Sequence, residues 1–370
     1  MKKIIISGIL ILLFTTAKSQ DSLITDTMSL LFIGDIMGHD SQINAAYDAS
    51  SRSYDYDRVF AKVSPIFKSH DFAIANLEVT LAGKPFKGYP QFSSPDELAV
   101  AAKNSGINTL VTANNHSCDR GKQGIIRTIK VLDSLGINHT GTFLNSEERE
   151  SSNLLILSKN NIKVGILNYT YGTNGLPVPS PTIVNIIDNN QMASDIEKSK
   201  SANLDKLIVV MHWGKEYSSQ PSSSQISIAN FLFDKGVDII IGSHPHVVQP
   251  MEYYEKTMEH HEQFIAFSLG NFISNQRKRK TDGGAMVGLT LTKQGDETII
   301  SNSGYYLTWV NKPISKGARK FEIVPCAEYE QNEFFSMDEE SINKMKVFVK
   351  DSRILLSTEN ISVHELGKDN

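Results

Sequence analysis

The sequence predicts an α/β protein in which two mixed sheets pack against each other and helices cover their outer faces. Three observations predict this class. Three helical stretches each end at a glycine and lead into a strand, several strands are continuous apolar runs, and the later strands follow one another with only turns between them. Continuous apolar runs are typical of strands covered on both faces. Strands joined by turns pair in antiparallel fashion.

The helical stretches are the clearest elements. Each has the helical spacing of apolar residues and is followed by a glycine, then an apolar residue, then Asn or Asp. This is how a helix ends and turns into a strand. In two of the three units, the strand runs directly into a histidine motif. The stretches are 95–104, 123–135 and 225–235, and their glycines are Gly106, Gly136 and Gly236.

The predicted strands lie around these helices. Residues 172–181 hold glycine, asparagine and three prolines, so they are predicted to form a loop. We assign residues 28–325 to one domain and predict a C-terminal helix over 337–356. The predicted strands are 31–36, 72–76, 110–115, 154–157, 164–168, 207–211, 239–244, 264–269 and 286–292.

Residues 1–19 have the pattern of an export signal. Lys2 and Lys3 precede an apolar stretch that runs from Ile4 to Phe14, and small residues follow it. The apolar stretch is short for a membrane span, so we expect a cleaved signal peptide. The mature protein would then be soluble in the periplasm or at the cell surface. An uncleaved membrane anchor is the alternative interpretation.

Charge and cysteine content exclude several classes of protein. The net charge is −4, which disfavours a surface that grips nucleic acid. Cys118 and Cys326 are the only cysteines and are far apart in sequence. This pattern indicates neither a disulfide framework nor a thiolate zinc site, and we expect both thiols to be free.

Side chains suited to metal ions follow five predicted strands. Because ligands bind beside the carboxyl ends of strands in open α/β sheets, residues from distant parts of the chain can meet there. Each residue alone has an ordinary explanation as a turn cap or a loop hydrogen bond. Their joint occurrence predicts one shared metal site. The residues are Asp35, Glu78, Asn115 with His116, His212, and His244 with His246.

These residue types fit a catalytic divalent cation. Carboxylates neutralise its charge, imidazoles bind it, and the Asn115 amide oxygen is a neutral ligand. His244 and His246 would face opposite ways in an extended segment, but a turn at Pro245 would let each reach a different ion of a two-metal site. The pattern does not separate Mn, Zn, Fe and Mg, or one ion from two. His39, His70, His139, His260 and His261 lack this setting and are interpreted as surface or packing residues.

Six ordered motifs resemble the CapA family of poly-gamma-glutamate capsule proteins, over roughly residues 29–312. That family is similar to the calcineurin-like metallophosphoesterases, so the resemblance implies a four-layer α/β/β/α sandwich with a two-metal centre. The motifs are Gly34-Asp35-Ile36-Met37, Asn76-Leu77-Glu78, Asn114-Asn115-His116 with Asp119 and Gly121, His212-Trp213-Gly214 with Glu216-Tyr217, Gly242 to His246 with Gln249-Pro250, and Ser268-Leu269-Gly270-Asn271-Phe272.

The resemblance also implies a role for each site residue. Asp35 and His246 would bind the first metal, Glu78 would bridge both metals, and Asn115, His212 and His244 would bind the second. His116, oriented by Asp119, would face the substrate and assist the leaving group. Two positions depart from the metallophosphoesterase pattern. Met37 stands where that pattern has a histidine ligand, and Glu78 stands where it has Asp.

Four more residues are candidates for substrate binding or for supporting the ligands. Glu216 and Tyr217 follow His212, and a packed turn is the alternative for both. Asn271 would support the ligands or end a strand. Arg277 opens the basic run 276–280, which is either a solvated loop or a surface for an anionic polymer or phosphate.

The sequence therefore predicts an exported, metal-dependent hydrolase or transferase. It would act on a phosphoester or amide bond in making, releasing or processing an anionic surface polymer, within or beside a membrane-bound synthesis complex. The fold analogy that favours a phosphoester is associational. The alternative is a non-catalytic subunit of a capsule synthesis or export complex that keeps the metal site for structure or polymer binding.

Overall fold

The computed structural model describes residues 25–258, 260–315, 317–332 and 337–367, and the predicted export signal over 1–19 lies outside them. The strands are β1 Asp26–Ile36, β2 Tyr47–Asp48, β3 Ser53–Tyr54, β4 Phe72–Leu77, β5 Thr109–Val111, β6 Asn138–Thr140, β7 Thr142–Phe143, β8 Leu155–Lys159, β9 Ile162–Thr170, β10 Ile183–Val184, β11 Lys206–His212, β12 Ile239–Ser243, β13 Met251–Tyr254, β14 Gln263–Ala266, β15 Asn271–Ile273, β16 Gly283–Gln294, β17 Glu297–Asn311, β18 Ile314–Ser315, β19 Ala318–Arg319, β20 Glu322–Pro325 and β21 His364–Glu365.

The helices are fewer than the strands in the described part of the chain, and most of them are longer. A 3₁₀ turn over Lys200–Ala202 follows the seventh helix. The α-helices are α1 Asp40–Ala46, α2 Asp57–Phe60, α3 Ser64–Lys68, α4 Glu97–Ser105, α5 Gly121–Leu135, α6 Ser146–Ser152, α7 Asn189–Ser199, α8 Ser223–Asp234, α9 Cys326–Asn332 and α10 Glu339–Glu359.

Two large sheets form the centre of the molecule, and both are mixed as predicted. The first has the order β20-β17-β16-β1-β4-β5-β6, with β15 beside β1 and β21 beside β17. Its β1, β4, β5 and β6 are parallel, whereas β16, β17 and β20 are joined by antiparallel pairs. The second sheet has the order β13-β14-β12-β11-β9-β8, with parallel strands in its middle and an antiparallel pair at each edge.

Alternating side chains on the strands divide the core into layers. In β1, Leu30 and Phe32 point into a cluster shared with Val164, Ile208 and Ile241 of the second sheet, whereas Leu31 and Ile33 pack against α2, α3 and α4. In the second sheet, Val209 and Ile240 pack against α7 and α8. This alternation places one apolar layer between the sheets and one beneath the helices on each outer face. The predicted four-layer α/β/β/α sandwich is therefore the observed fold.

The three glycine-terminated helices occur as α4, α5 and α8. Gly106, Gly136 and Gly236 all have positive φ, and the next residue donates its N–H to a carbonyl five positions back, as in Ile107 to Ala102 at 3.1 Å. The short polar residue that follows pairs with the neighbouring strand. Asp238, for example, accepts the N–H of Leu207 at 2.8 Å. The glycine thus ends the helix, and the polar residue fixes the register of the strand.

The structure corrects several boundaries and contains elements that were not predicted, among them α7 and β17. Strand β5 stops at Val111, well before Asn115, because the Ser117 hydroxyl bonds to Asn114 N–H and to Thr112 carbonyl and turns the chain. The sequence patterns did not predict α7 or β17. In α7 only two apolar side chains are buried, and β17 is interrupted by Ser, Asn and Gly near its middle. Residues 172–181 form a loop, as predicted.

The C-terminal residues pack onto the same core. Helix α10 lies where a helix was predicted over 337–356, and its Met345 and Phe348 join the cluster between the sheets. Cys118 and Cys326 are buried and free, as expected. In the described part of the chain, no helix is both long enough and apolar enough to cross a bilayer.

One close contact holds the edge of the first sheet together. Gly34 in β1 lies against the backbone of Gly270, and a Cβ atom at Gly34 would lie 2.2 Å from the Gly270 carbonyl oxygen. The same carbonyl accepts the N–H of Asp35 at 3.1 Å. Only a glycine at this position allows the two segments to approach so closely.

Replacing Gly34 with Ala should therefore destabilise the protein. We expect Gly34→Ala to lower the free energy of unfolding by about 3 kcal/mol, because backbone atoms rather than a flexible side chain must move. Gly172→Ala is the matched control, since a Cβ there meets nothing within 4 Å. Urea denaturation of both variants measures the difference, and equal midpoints would contradict the steric argument.

Candidate metal centre

The predicted site residues meet at one edge of the sandwich. Asp35, Glu78 and Asn115 lie at or just beyond the carboxyl ends of β1, β4 and β5 in the first sheet, whereas His212 and His244 lie at the ends of β11 and β12 in the second. His246 follows on the same loop. All six side chains are buried, with at most 3% of each residue exposed.

These side chains form two groups that share Glu78. One group is Asp35, Glu78 and His246, and the other is Glu78, His212 and His244, with the ligand atoms of each group within 4.8 Å of one another. His246 Nδ1 lies 3.1 Å from Asp35 Oδ2, and His212 Nε2 lies 3.6 Å from Glu78 Oε1. Ligands bound about 2 Å from a common ion are separated by such distances. The groups divide the residues as the resemblance implied.

Asn115 belongs to the second group by position. Its Oδ1 lies 2.9 Å from His212 Nε2, so an amide oxygen and an imidazole nitrogen converge on the space beside Glu78. The other side of the His212 ring is held by the Ser243 hydroxyl, 3.1 Å from Nδ1. This leaves Nε2 as the ring atom that faces the shared space.

The backbone turns both histidines of the 244–246 segment toward the site. His244 has φ 98° and His246 has φ 58°, which are left-handed values that residues other than glycine seldom adopt. In an extended segment the two rings would point to opposite sides, but their ring centroids are 5.9 Å apart. The turn expected at Pro245 is therefore present, and it places backbone strain at the proposed ligands.

The donor set fits divalent cations. Both Glu78 carboxylate oxygens and His244 Nδ1 are buried without a hydrogen-bond partner. Glu78 and Asp35 lie together, and among the described residues neither forms an ion pair with Lys or Arg. Two neighbouring buried carboxylates without a counter-charge are unfavourable. A cation between them would satisfy the unpaired oxygens and neutralise the charge.

Burial and mutual repulsion shift the titration of these groups. Burial raises the pKa of the Glu78 carboxyl well above its ordinary value, and the charge on Asp35 raises it further. Burial lowers the pKa of His212, and the neighbouring histidines lower it further. For the same reasons the pKa of His244 is lowered to about 3. The imidazoles of His212 and His244 are therefore neutral at physiological pH, which is the form that binds a metal ion.

His116 and Asp119 form a buried pair at the border of the site. His116 Nδ1 lies 2.7 Å from Asp119 Oδ2, and both residues are 4% exposed. The same carboxylate oxygen accepts the backbone N–H of Phe92 at 2.7 Å, and the Phe92 ring packs edge-on against the His116 ring at 4.6 Å. Asp119 thus orients the imidazole through Nδ1 and leaves Nε2 available for a substrate.

Two asparagines support the ligands, and the sequence analysis assigned neither of them a role. Asn76 Nδ2 donates to Asp35 Oδ1 at 2.8 Å and fixes that carboxylate. Asn114 Nδ2 donates to the Leu77 carbonyl at 2.8 Å, and its Oδ1 accepts the N–H of His116. In the quoted motifs Asn114 stands directly before Asn115, and Asn76 stands two residues before Glu78. This closeness to a proposed ligand is the signal that could have identified them.

Tyrosines form the exposed part of this edge. Tyr171, which sequence reasoning also missed, packs against His244 with ring centroids 4.5 Å apart and is 45% exposed. Tyr217 is 41% exposed, and its ring lies 6.2 Å from that of His246. Its neighbour Glu216 is exposed. These two candidates border the site without joining either ligand group.

The remaining positions singled out by sequence lie beside the ligands. Asn271 pairs with Asp35 in the sheet, donates to the Thr281 carbonyl at 2.8 Å, and keeps its Oδ1 buried without a partner. Arg277 donates to the Val310 carbonyl at 3.1 Å, outside both ligand groups. Met37 is buried in the apolar cluster beneath the helices. His39 packs against Phe92 at 5.3 Å, which agrees with a packing role.

Comparison with known proteins identifies relatives of the chain. The model of the family described as Bacterial capsule synthesis protein PGA_cap matches residues 29–276. The Capsule biosynthesis protein CapA of Bacillus anthracis is 29% identical over 283 residues, covering 73% of this chain and 65% of that protein. The PGA biosynthesis protein CapA of Bacillus subtilis strain 168 is 28% identical, covering 73% of this chain and 69% of that protein. These matches confirm the resemblance to the CapA family.

One solved structure with a similar arrangement is a calcineurin-like phosphoesterase from Bacillus subtilis. It is 15% identical and has a TM-score of 0.46, covering 89% of this chain and 98% of that chain. At this score the likeness carries no argument about activity. The site is therefore interpreted from its own residues.

A divalent cation should stabilise the folded protein through Glu78. Adding Mn²⁺ or Zn²⁺ to chelator-treated protein should raise its melting temperature, because a ligand at 100 times its Kd adds about 2.7 kcal/mol of stability. Glu78→Gln should lose most of this increase. Glu197→Gln, an exposed carboxylate change on α7, should retain it. Equal increases in Glu78→Gln and the original protein would contradict cation binding at this site.

In cation-free protein, Glu78 should also make stability fall with rising pH. Its folded pKa lies above the ordinary 4.5, so as pH rises past 4.5 the unfolded chain releases a proton that the folded chain retains. Ionisation of Glu78 therefore lowers the free energy of the unfolded state relative to the folded state, and the free energy of unfolding falls. Urea denaturation in chelator between pH 5 and 8 should show the original protein losing stability relative to Glu78→Gln. Parallel pH curves would exclude the raised pKa.

Proposed function

This chain belongs to the bacterial capsule synthesis protein family PGA_cap, and on that premise we propose that it is a metal-dependent hydrolase or transferase. It acts on a phosphoester or amide bond during the synthesis, release or processing of an anionic cell-surface polymer. One observation carries the catalytic part of the proposal. Glu78 is fully buried between two histidine-containing groups, and neither of its oxygens has a partner.

Each ligand side chain has a definite part in this proposal. Glu78 would be shared by two cation positions, of which Asp35 and His246 would hold the first and His212, His244 and Asn115 the second. When bound, divalent cations would polarise the scissile bond and lower the pKa of the attacking water. The protein positions its ligands in advance through Asn76, Ser243 and the left-handed turn at His244. Little rearrangement is then needed when substrate arrives.

His116 is proposed to handle the proton of the leaving group. The Asp119 carboxylate accepts from Nδ1–H, which leaves Nε2 as the atom that faces substrate. In the protonated form, Nε2–H donates to the leaving oxygen or nitrogen. Phe92 covers one side of the His116–Asp119 pair and shields it from water, through its ring contact with His116 and its N–H bond to Asp119.

The proposed polymer substrate is supported by family membership, and the proposed compartment is supported by the N-terminal sequence. The names of the two CapA relatives refer to capsule and PGA biosynthesis, which supports poly-gamma-glutamate or a comparable polyanion as substrate. The alignment spans 65% of the Bacillus anthracis protein, so its partners are not carried over directly. We propose export through residues 1–19, action outside the cytoplasm, and association with a membrane-bound synthesis complex.

Met37 favours one competing function. Its side chain is buried among apolar residues, and its backbone N–H bonds to Ile273 at 2.9 Å, so it does not offer the ligand expected from the metallophosphoesterase pattern. A chain with one incomplete cation position would serve as a metal-containing accessory subunit that binds polymer without turnover.

Assays of the purified mature domain separate the two functions. The protein is tested with Mn²⁺, Zn²⁺ and Mg²⁺ against phosphodiesters, phosphomonoesters and poly-gamma-glutamate. Turnover that requires added metal supports the enzyme. Metal binding by elemental analysis without turnover on any of these substrates supports the accessory subunit.

Substituting His116 tests its proposed role in proton transfer. His116→Gln should lower kcat about 10²- to 10⁴-fold and remove one limb of the pH–rate profile, while metal content stays the same. His139→Gln is the control, because His139 pairs with Asp133 at the far end of α5. A loss of bound metal in His116→Gln would instead make His116 a ligand. An unchanged kcat would remove it from the mechanism.

A further inference from the structure

A large cavity lies along the same edge of the first sheet as the metal centre. It encloses about 1360 Å³ between the loop after β15, the end of β17 and the start of α10. The backbone path from the site to this cavity is short. Asp35 bonds to Gly270, Gly270 bridges to Gly284, and the adjoining Gly283 pairs with Trp309 in the cavity wall. Three strand spacings of about 4.8 Å separate the two sites by about 15 Å.

The charged side chains around the cavity are mainly basic. Its described lining includes Arg277, Arg279, Lys280, Lys312, Arg319 and Lys344, against three acidic residues. The three acidic side chains are engaged within the protein. Asp282 accepts from Trp309 Nε1 at 3.0 Å, Asp338 caps α10, and Glu340 pairs with Lys344. Arg279 pairs with Asp351, which is not in the lining. The excess positive charge therefore comes from Arg277, Lys280, Lys312 and Arg319. A cavity with this balance attracts anions, although the whole chain has a net charge of −4.

Arg277 lies in the lining of the cavity, and its side chain is exposed there. Its described hydrogen bond goes to the Val310 carbonyl at 3.1 Å. Partial burial and the like charge of Arg319 lower the pKa of Arg277 to about 10, although Asp282 opposes the shift. It remains charged at neutral pH. A carboxylate could accept its remaining N–H donors in a bidentate contact.

The basic run joins the cavity to the metal centre. Lys278 Nζ lies 4.1 Å from the centre of the Tyr217 ring, and that ring lies 6.2 Å from the ring of His246. Its neighbours Arg277 and Lys280 line the cavity, and Lys280 Nζ donates to Ser219 at 3.1 Å. The segment 277–280 therefore borders both places, and its cations form a continuous path between them.

We infer that this basic cavity is a second binding site, which holds the anionic polymer several units away from the bond that reacts at the metal centre. The inference rests on the proposed function for its ligand, a chain of closely spaced carboxylates such as poly-gamma-glutamate. A chain lying along the 277–280 segment would occupy both sites at once. Linking two contacts in one ligand raises affinity through effective concentration. The cavity therefore selects long chains over short ones.

Binding of fluorescent poly-gamma-glutamate tests the inference. All proteins in this test, including the reference, carry His116→Gln, which should slow turnover while the metal content stays the same. Lys280→Gln with Arg319→Gln should weaken polymer affinity about tenfold, and the single charge reversal Arg319→Glu should weaken it as well. Arg319 is exposed on β19, so its substitution leaves the core intact. The charge-matched control is Lys68→Gln with Lys130→Gln, on α3 and α5, which should change affinity less than about twofold.

Chain length and salt give two further readouts. Oligomers too short to span about 15 Å should bind the original and double variant with similar affinity, and rising salt should reduce the difference seen with long chains. Equal loss of affinity in the cavity and control variants would indicate a general electrostatic attraction and would overturn the inference. Unchanged affinity in both cavity variants would also overturn it.

The same experiments distinguish this inference from the proposed function. Suppose that the original protein shows metal-dependent turnover and that the cavity variants bind polymer normally. This result would overturn the proposed polymer site in the cavity and would support the proposed catalytic function. Polymer binding that depends on Lys280 and Arg319, with no turnover on any substrate, would support the cavity and overturn the catalytic proposal.

Discussion

The edge of this sandwich depends on two buried carboxylates that form no ion pair with Lys or Arg in the described part of the chain. Asp35 and Glu78 are 0% exposed and lie at the ends of adjacent parallel strands. Burial raises the pKa of Glu78, and repulsion by Asp35 raises it further. The folded chain can relieve this repulsion by keeping a proton or by binding a cation. Neutral imidazoles from the second sheet surround the same space, so a cation gains ligands that a proton would not use.

The fold brings these groups together by joining two sheets at their carboxyl ends. Glycines allow the two sheets to approach at positions where a side chain would collide with neighbouring backbone. A Cβ at Gly34 would lie 2.2 Å from the Gly270 carbonyl oxygen, and one at Gly242 would lie 2.0 Å from that of Phe267. These contacts bring the loop after β14 against the ends of β1 and β12. The ligand segments of both sheets are thereby fixed before any ligand binds, at the expense of strain at His244 and His246.

Sequence reasoning predicted what depends on local pattern. Helices α4, α5 and α8 ended at the expected glycines, and the strand-end position of Asp35, Glu78 and His212 predicted their convergence. It did not find what depends on contacts between distant segments. The role of Asn76 follows from its bond to Asp35, and β17 is a strand because it pairs along its length with β16. The basic cavity is also non-local, since its walls come from β17, α10 and the loop after β15, and only its 277–280 portion forms a run in the sequence.

Met37 makes the two cation positions unequal. Its backbone is tied to Ile273 and its side chain is buried in the helix-side core, so it cannot turn toward Asp35 without breaking both contacts. The position built from Asp35, Glu78 and His246 then has two carboxylates and one imidazole, whereas the other has one carboxylate, two imidazoles and the Asn115 oxygen. Oxygen-rich sites favour hard cations, and imidazole-rich sites favour transition metals. A chain that bound two ions would therefore hold them with different affinities. The ion beside Asp35 would have three protein side chains around it rather than four, which would leave more room for a substrate oxygen.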